Sequence, residues 1–199
     1  EEIGEFAGKT CKAVEAVYFV AHGSSYNAAL AVSDFLSRYG GVRVYVYTPA
    51  NFRHNAYALL REEKKNILVA AISQTGTSSG VIEALCAASE NGFATLGITE
   101  EPDSPIAKEA DHTLFLRCGK EDSNAKTKGY SATLLLLLLL AVHMGFAKRI
   151  LGEDTKEAVL KELRRQIREI PGLVQDVKDW CEEENFGDGL KELYVLGYG

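Results

Sequence analysis

The chain has 199 residues, 46% hydrophobic and 25% charged, the balance of an ordinary soluble globular protein built as one domain with an extension. Its net charge of -6 argues against a nucleic-acid partner held by counterion release, and the basic residues are dispersed except for a solvated helical face of Lys161, Arg164, Arg165 and Arg168. The four cysteines, Cys11, Cys86, Cys118 and Cys181, lack C-x-x-C pairing and regular spacing, which argues against a disulfide framework or a zinc site and for a reducing cytoplasm. No signal peptide is read, and a start at Glu1 suggests a trimmed or excised chain.

A short amphipathic lead, read as helical, precedes the first strong signal, the apolar run Val17 to Ala21. His22, Gly23, Ser24, Ser25, Tyr26 and Asn27 then open a helix whose Ala29, Leu30, Val32, Phe35 and Leu36 share a face. Val42 to Tyr47 is a second strand after the Gly40-Gly41 stop, leading through Pro49 into a helix over 50–60 with Asn51, Phe52, Arg53 and His54 at its start. Ile67 to Ile72 is an unbroken apolar run, as expected of a strand buried on both faces of a parallel sheet. It stops at Ser73, Gln74, Thr75, Gly76, Thr77, Ser78 and Ser79, and a helix carrying Val81, Ile82, Leu85 and Ala88 follows.

That turn has the makings of an anion site. Free backbone N–H groups, the positive end of a helix dipole and several hydroxyls converge, and Gly76 allows close backbone approach. Having no lysine and no G-x-G-x-x-G spacing, it is neither a P-loop nor a dinucleotide turn, so a monophosphate on a small molecule fits better. The plain alternative is a serine-capped helix, which needs one hydroxyl where this turn offers several.

Phe93 to Thr99 is a fourth strand, ended by Glu100, Glu101, Pro102, Asp103, Ser104 and Pro105, and His112 to Arg117 a fifth. Strands alternating with helical patterns predict successive βαβ units, hence an α/β protein with a five-stranded parallel sheet between helices. Ligands sit beyond the carboxyl ends of such strands, so the serine-rich turns after the first and third strands should face one crevice. The spacing next predicts one long helix from Asn124 to Lys148 holding seven consecutive leucines, Leu134 to Leu140. Its apolar stretch from Ala132 to Val142 falls short of the roughly 20 residues of a membrane span. A buried helix, and with it a homodimer, is the better expectation. Thr155 to Trp180 reads as an amphipathic helix interrupted at Pro171. The terminal Leu193-Tyr194-Val195-Leu196-Gly197-Tyr198-Gly199 echoes Val17 to Gly23, so the expected organisation is one domain over 1–184 with a helical extension, and over 185–199 the first strand of a truncated second copy.

Three separated motifs carry a family resemblance. Ala21-His22-Gly23-Ser24-Ser25-Tyr26-Asn27 is similar to A-C-G-T-S-Y-N, Ser73-Gln74-Thr75-Gly76-Thr77-Ser78 to S-Q-S-G-E-T, and Ala125-Lys126-Thr127-Lys128 to A-S-T-K before a leucine-rich helix. In order and separation they resemble the SIS (sugar isomerase) domain family, within it the isomerase part of the glutamine:fructose-6-phosphate aminotransferases and the fructosamine-phosphate deglycases. The resemblance covers residues 17 to 199 and implies a flavodoxin-like three-layer α/β/α sandwich. It implies further that Ser73, Gln74, Thr75 and Ser78 hold a sugar phosphate and that Ser25, with His22, Gly23 and Ser24, lines the sugar.

Lys126 stands where the family has a serine that contacts sugar, and His22 where it has a cysteine. In the family the proton-moving glutamate belongs to a second SIS copy and a histidine comes from a neighbouring subunit; the sequence is expected to stop short of both. Candidates within the chain are Glu121 and His54, the latter because Asn51-Phe52-Arg53-His54 resembles the family's E-L-K-H loop. Each also has an ordinary reading, a solvated loop acid and a surface or capping histidine. The expected activity is binding and isomerisation of a phosphorylated sugar or amino sugar, the alternatives being deglycation, deamination or non-catalytic sensing. No cofactor, metal, nucleic-acid partner or membrane is expected.

Overall fold

The computed structural model describes residues 1–59, 64–122 and 126–192. Five strands, β1 (Ala16–Ala21), β2 (Arg43–Tyr47), β3 (Ile67–Ile72), β4 (Ala94–Thr99) and β5 (His112–Phe115), form one sheet. Every pairing is parallel, in the order β2-β1-β3-β4-β5. The central β1 and β3 are buried at every position, as their unbroken apolar runs require of strands covered on both faces.

Alternation along the strands divides the core. Val17, Phe19, Ala21, Leu68, Ala70, Ile72, Leu96, Ile98 and Leu114 pack under α1 (Glu2–Thr10), α2 (Gly23–Gly40) and α6 (Lys128–Ala147). On the other face Ala16, Tyr18, Val20, Ile67 and Val69 meet Phe52 of α3 (Pro49–Leu59) and Ala84 and Ala88 of α4 (Ser79–Glu90). Ala71 meets Val81 and Leu85 of α4 and Ile106 of α5 (Pro105–Glu109). The result is the three-layer α/β/α sandwich expected, with strand ends within two residues of their predicted places.

Three elements differ from expectation. The short helix α5 was hidden in a segment read as loop: Ser104 accepts from the Ala107 N–H at 3.3 Å with Pro105 at the first helical position, a start signal that five residues without periodicity do not reveal. The leucine-rich helix begins at Lys128, after Thr127, and Asn124 and Ala125 lie outside the described residues. Finally, α7 (Glu153–Glu183) runs through Pro171 without the predicted interruption. A proline removes one hydrogen bond and crowds the carbonyl four residues back; here that residue is Ile167, which is exposed, so water can satisfy the freed carbonyl.

By length and composition α6 could cross a membrane, with a mean hydropathy of 1.9 over its most apolar window. Its Leu136, Leu137, Leu140, Ala141, Val142 and Met144 are instead buried in the sandwich, which is why a helix apolar all round sits here. The chain divides into two compact units, Glu1–Glu153 and Asp154–Gly199. The sandwich occupies the first and nearly all of α7 the second, and the strand expected over 193–199 lies outside the described residues.

Candidate functional site

The site follows from register. Ala21 pairs with Ile72, so His22 and Ser73 leave the sheet side by side, at the point where the chain direction from β1 diverges to β2 on one side and β3 on the other. Helix α2 starts immediately after His22 and α4 immediately after Ser78, and neither N-cap side chain bonds its helix. Both first turns therefore leave backbone N–H donors and positive dipole ends at the same edge of the sheet. The turns touch: a Cβ placed on Gly80 would stand 3.7 Å from His22 Nε2 and 3.3 Å from Pro49 at the start of α3.

The turn after β3 is held from beneath. Gly76 donates to the Ser73 carbonyl at 3.0 Å with φ +65°, and a Cβ there would collide with Ser104 and Thr99, so this position needs glycine on both counts. The Gln74 carbonyl accepts from the Glu100 N–H at 2.9 Å and the Thr99 hydroxyl at 3.1 Å. Ile106 N–H reaches the Gly76 carbonyl at 3.3 Å. Above this base, Thr75 and Thr77 share a hydroxyl contact of 2.9 Å, both exposed, while Ser78 and Ser79 lead into α4 and Ser73 is buried.

A second wall comes from the segment between β5 and α6. The Glu100 carboxylate accepts from the N–H groups of Cys118 and Gly119, each at 2.9 Å, pinning that segment to the end of β4. The Glu121 carboxylate accepts from the backbone N–H of Thr127 at 2.8 Å and of Lys128 and Gly129 at 2.9 Å, and from Gln74 Nε2 at 3.4 Å. It thus does for α6 what the N-cap Thr127 side chain does not. The backbone N–H of Gly129 foremost, then those of Lys128 and Thr127 and the Gln74 amide, outweigh its partial desolvation and hold the Glu121 carboxyl at about 2, well below its ordinary 4.5. Lys126 Nζ donates to the Glu121 carbonyl. Gln74, Thr75, Glu100, Glu101, Gly119, Lys120, Glu121 and Lys126 together line a cleft of about 110 Å³.

Of the residues singled out in the sequence, Gln74, Thr75, Glu121 and Lys126 meet in this cleft, and His22 stands against the first turn of α4. Gly23, with φ +55°, Ser24 and Ser25 form the first turn of α2, the two serines half-buried. His54 is exposed on α3, five residues beyond Pro49 and so about 7.5 Å further along the helix axis. Sequence reasoning passed over Glu100 and Gly129. An acid ending a strand looks like a plain loop residue, and nothing local marks a helical glycine as the seat of a distant side chain.

Residues 12–143 match the SIS domain family. The glutamine–fructose-6-phosphate aminotransferase (isomerizing) of Halobacterium salinarum is 31% identical over 179 residues, 90% of this chain and 28% of that protein. The chain thus spans little more than a quarter of such curated relatives. Among solved structures, the C-terminal domain of glucosamine-fructose-6-phosphate aminotransferase from Francisella tularensis superposes with TM-score 0.72 at 22% identity, covering 81% of this chain and 45% of that one. The Vibrio vulnificus NanR protein complexed with ManNAc-6P superposes with TM-score 0.59 at 16% identity, covering 84% and 60%.

Proposed function

The chain belongs to the SIS domain family, and on that premise we propose that its turn from Ser73 to Ser78 binds the phosphate of a hexose or amino-hexose 6-phosphate. The observation that carries the reading is the β1–β3 register, which sets two helix starts free of side-chain caps against each other at one level of the sheet. The buried base of the turn is fixed by β4 and α5, while Thr75 and Thr77 are exposed above it, the arrangement expected of a preorganised anion cradle. Ser73, Thr75 and Ser78 with the Gln74 backbone contact phosphate in this reading, and His22, Gly23, Ser24, Ser25 and Lys126 line the sugar. The chemistry served is that of an amino-sugar isomerase or aminotransferase: ring opening, an imine or enediol, and proton transfer between C1 and C2. Deglycation or deamination of a 6-phosphorylated amino sugar would use the same binding half. We further read 185–199 as the start of a second copy, testable by the reading frame beyond Gly199.

Ser73→Ala and Thr75→Ala should each weaken binding of fructose 6-phosphate by about 1.5 to 3 kcal/mol, the range for a hydrogen bond to a charged group, with no loss of fold. Calorimetric titration checks this, and unchanged affinity in both variants removes the turn from the site. A second reading, a sugar-phosphate-sensing module without turnover, is favoured by one observation: the Glu100 and Glu121 carboxylates are engaged with backbone N–H groups and offer no free base.

The assembly we propose is a homodimer. Leu135 and Leu139 on α6 are only half-buried, and with Ile3 and Leu114, and with the charged Glu1, Glu2, Glu5 and Arg117, they line a groove of about 790 Å³ beside β5. Sedimentation at micromolar concentration should give twice the chain mass, and Leu135→Glu with Leu139→Glu should return it to one. A wild-type monomer would contradict the proposal.

A further inference from the structure

We infer that Glu121 is a positioning residue that fixes the binding form of the β3–α4 turn by holding the side chain of Gln74. The inference rests on the phosphate-turn reading above and adds to it the device that keeps the turn in shape. Gln74 is gripped twice. Its carbonyl is bound by β4 through the Glu100 N–H and the Thr99 hydroxyl, and its amide lies over the start of α6, where Nε2 donates to Glu121 Oε2 at 3.4 Å. Gly129 makes that seat: any Cβ there would overlap the Gln74 amide oxygen, nitrogen and carbon together.

Glu121 in turn is immobilised by α6. Oε1 accepts from the N–H groups of Thr127 and Lys128 and from the Thr127 hydroxyl at 3.3 Å, and Oε2 from Gly129. A carboxylate has about four lone-pair sites, and these four donors and Gln74, five in all, more than fill them. No site is left to take a proton from substrate, so the chemistry available to Glu121 is to hold. Because α6 packs into the sandwich, the link runs from the core through Glu121 to Gln74, the second residue of the turn. The competing role is that of a simple cap for α6, which would leave ligand affinity independent of Glu121.

The test is a double-mutant cycle on affinity for fructose 6-phosphate, using Glu121→Gln, Gln74→Ala and both together. If Glu121 acts through Gln74, each single change weakens binding about tenfold and the pair does so by the same tenfold, since either one releases the same contact. A hundredfold loss in the pair, or unchanged affinity in Glu121→Gln, overturns the inference. Should Glu121→Gln fail to fold, Gly129→Ala displaces the Gln74 amide while leaving the carboxylate cap, and the same tenfold loss is expected; unchanged affinity overturns it. Amide hydrogen exchange at residues 74–78 in the unliganded protein gives an independent readout, expected to accelerate about tenfold in the folded variants. If the wild type binds no hexose phosphate, the phosphate-turn reading fails while this exchange comparison still decides the role of Glu121, and unchanged exchange refutes it.

Discussion

Gly145→Ala should lower stability by about 3 kcal/mol, a melting-point drop of about 6 to 12 °C for a domain of this size. Gly145 lies where α6 crosses α2, and a Cβ there would fall inside the carbonyl oxygen of Tyr39, with Leu151 packed at 3.0 Å on another side. The obstacle is helix backbone, which cannot rotate away as a side chain can. The two helices must separate and loosen the layer of Leu36, Leu137, Leu140 and Ala141, all buried. Alanine gains about 1 kcal/mol in helix propensity over glycine, too little to offset that loss of packing. Calorimetric melting of the variant checks the expectation, and an unchanged melting temperature would mean that α2 and α6 do not meet at this closeness.

The second large effect concerns turnover. In deuterium oxide the 199-residue chain should bind fructose 6-phosphate and glucosamine 6-phosphate yet exchange their C1 and C2 protons roughly 10² to 10⁴-fold more slowly than an enzyme with a working base, the usual contribution of general acid–base catalysis. Two of the three carboxylates lining the cleft, those of Glu100 and Glu121, are already spent on backbone donors, and Glu121 is held at about 2, far from the neutral range where a base is effective. Glu101, on the lining of the same cleft, and His54, exposed on α3 where a second copy could carry it to the crevice, are the remaining candidates. Exchange at enzyme-like rates that disappears in His54→Ala would place the base in this chain and remove the sensing reading.

Much of this was legible in the sequence because a buried parallel strand leaves an unmistakable trace. Ile67 to Ile72 and Val17 to Ala21 are apolar at every position, and both stop at the residue where the backbone leaves the sheet. The glycine and hydroxyls after Ile72 marked a turn between strand and helix, and the positive φ of Gly76 gives that glycine its reason. What was not legible depends on contacts across long separations. Glu121 was named as a candidate base, but its role as an acceptor of backbone N–H groups, like that of Glu100, has no local signal, since the donors come from α6 and from Cys118 and Gly119, and an acid in a loop has the same appearance whether solvated or saturated with N–H groups. Pro171 misled for the opposite reason. The local rule against helical proline is strong, but on an exposed helix the cost falls on one carbonyl that water can reach.

The central claim is that a sugar phosphate docks where β1 and β3 release their helices. Backbone amide NMR during titration with fructose 6-phosphate tests it most directly, with fructose and inorganic phosphate as companions. Saturable shifts are expected, concentrated at residues 22–26 and 74–81, reproduced in part by inorganic phosphate at 74–81 and absent with fructose alone. Shifts confined to the groove of Ile3, Leu114, Leu135 and Leu139, or no saturable shift at 74–81 at millimolar ligand, would contradict it.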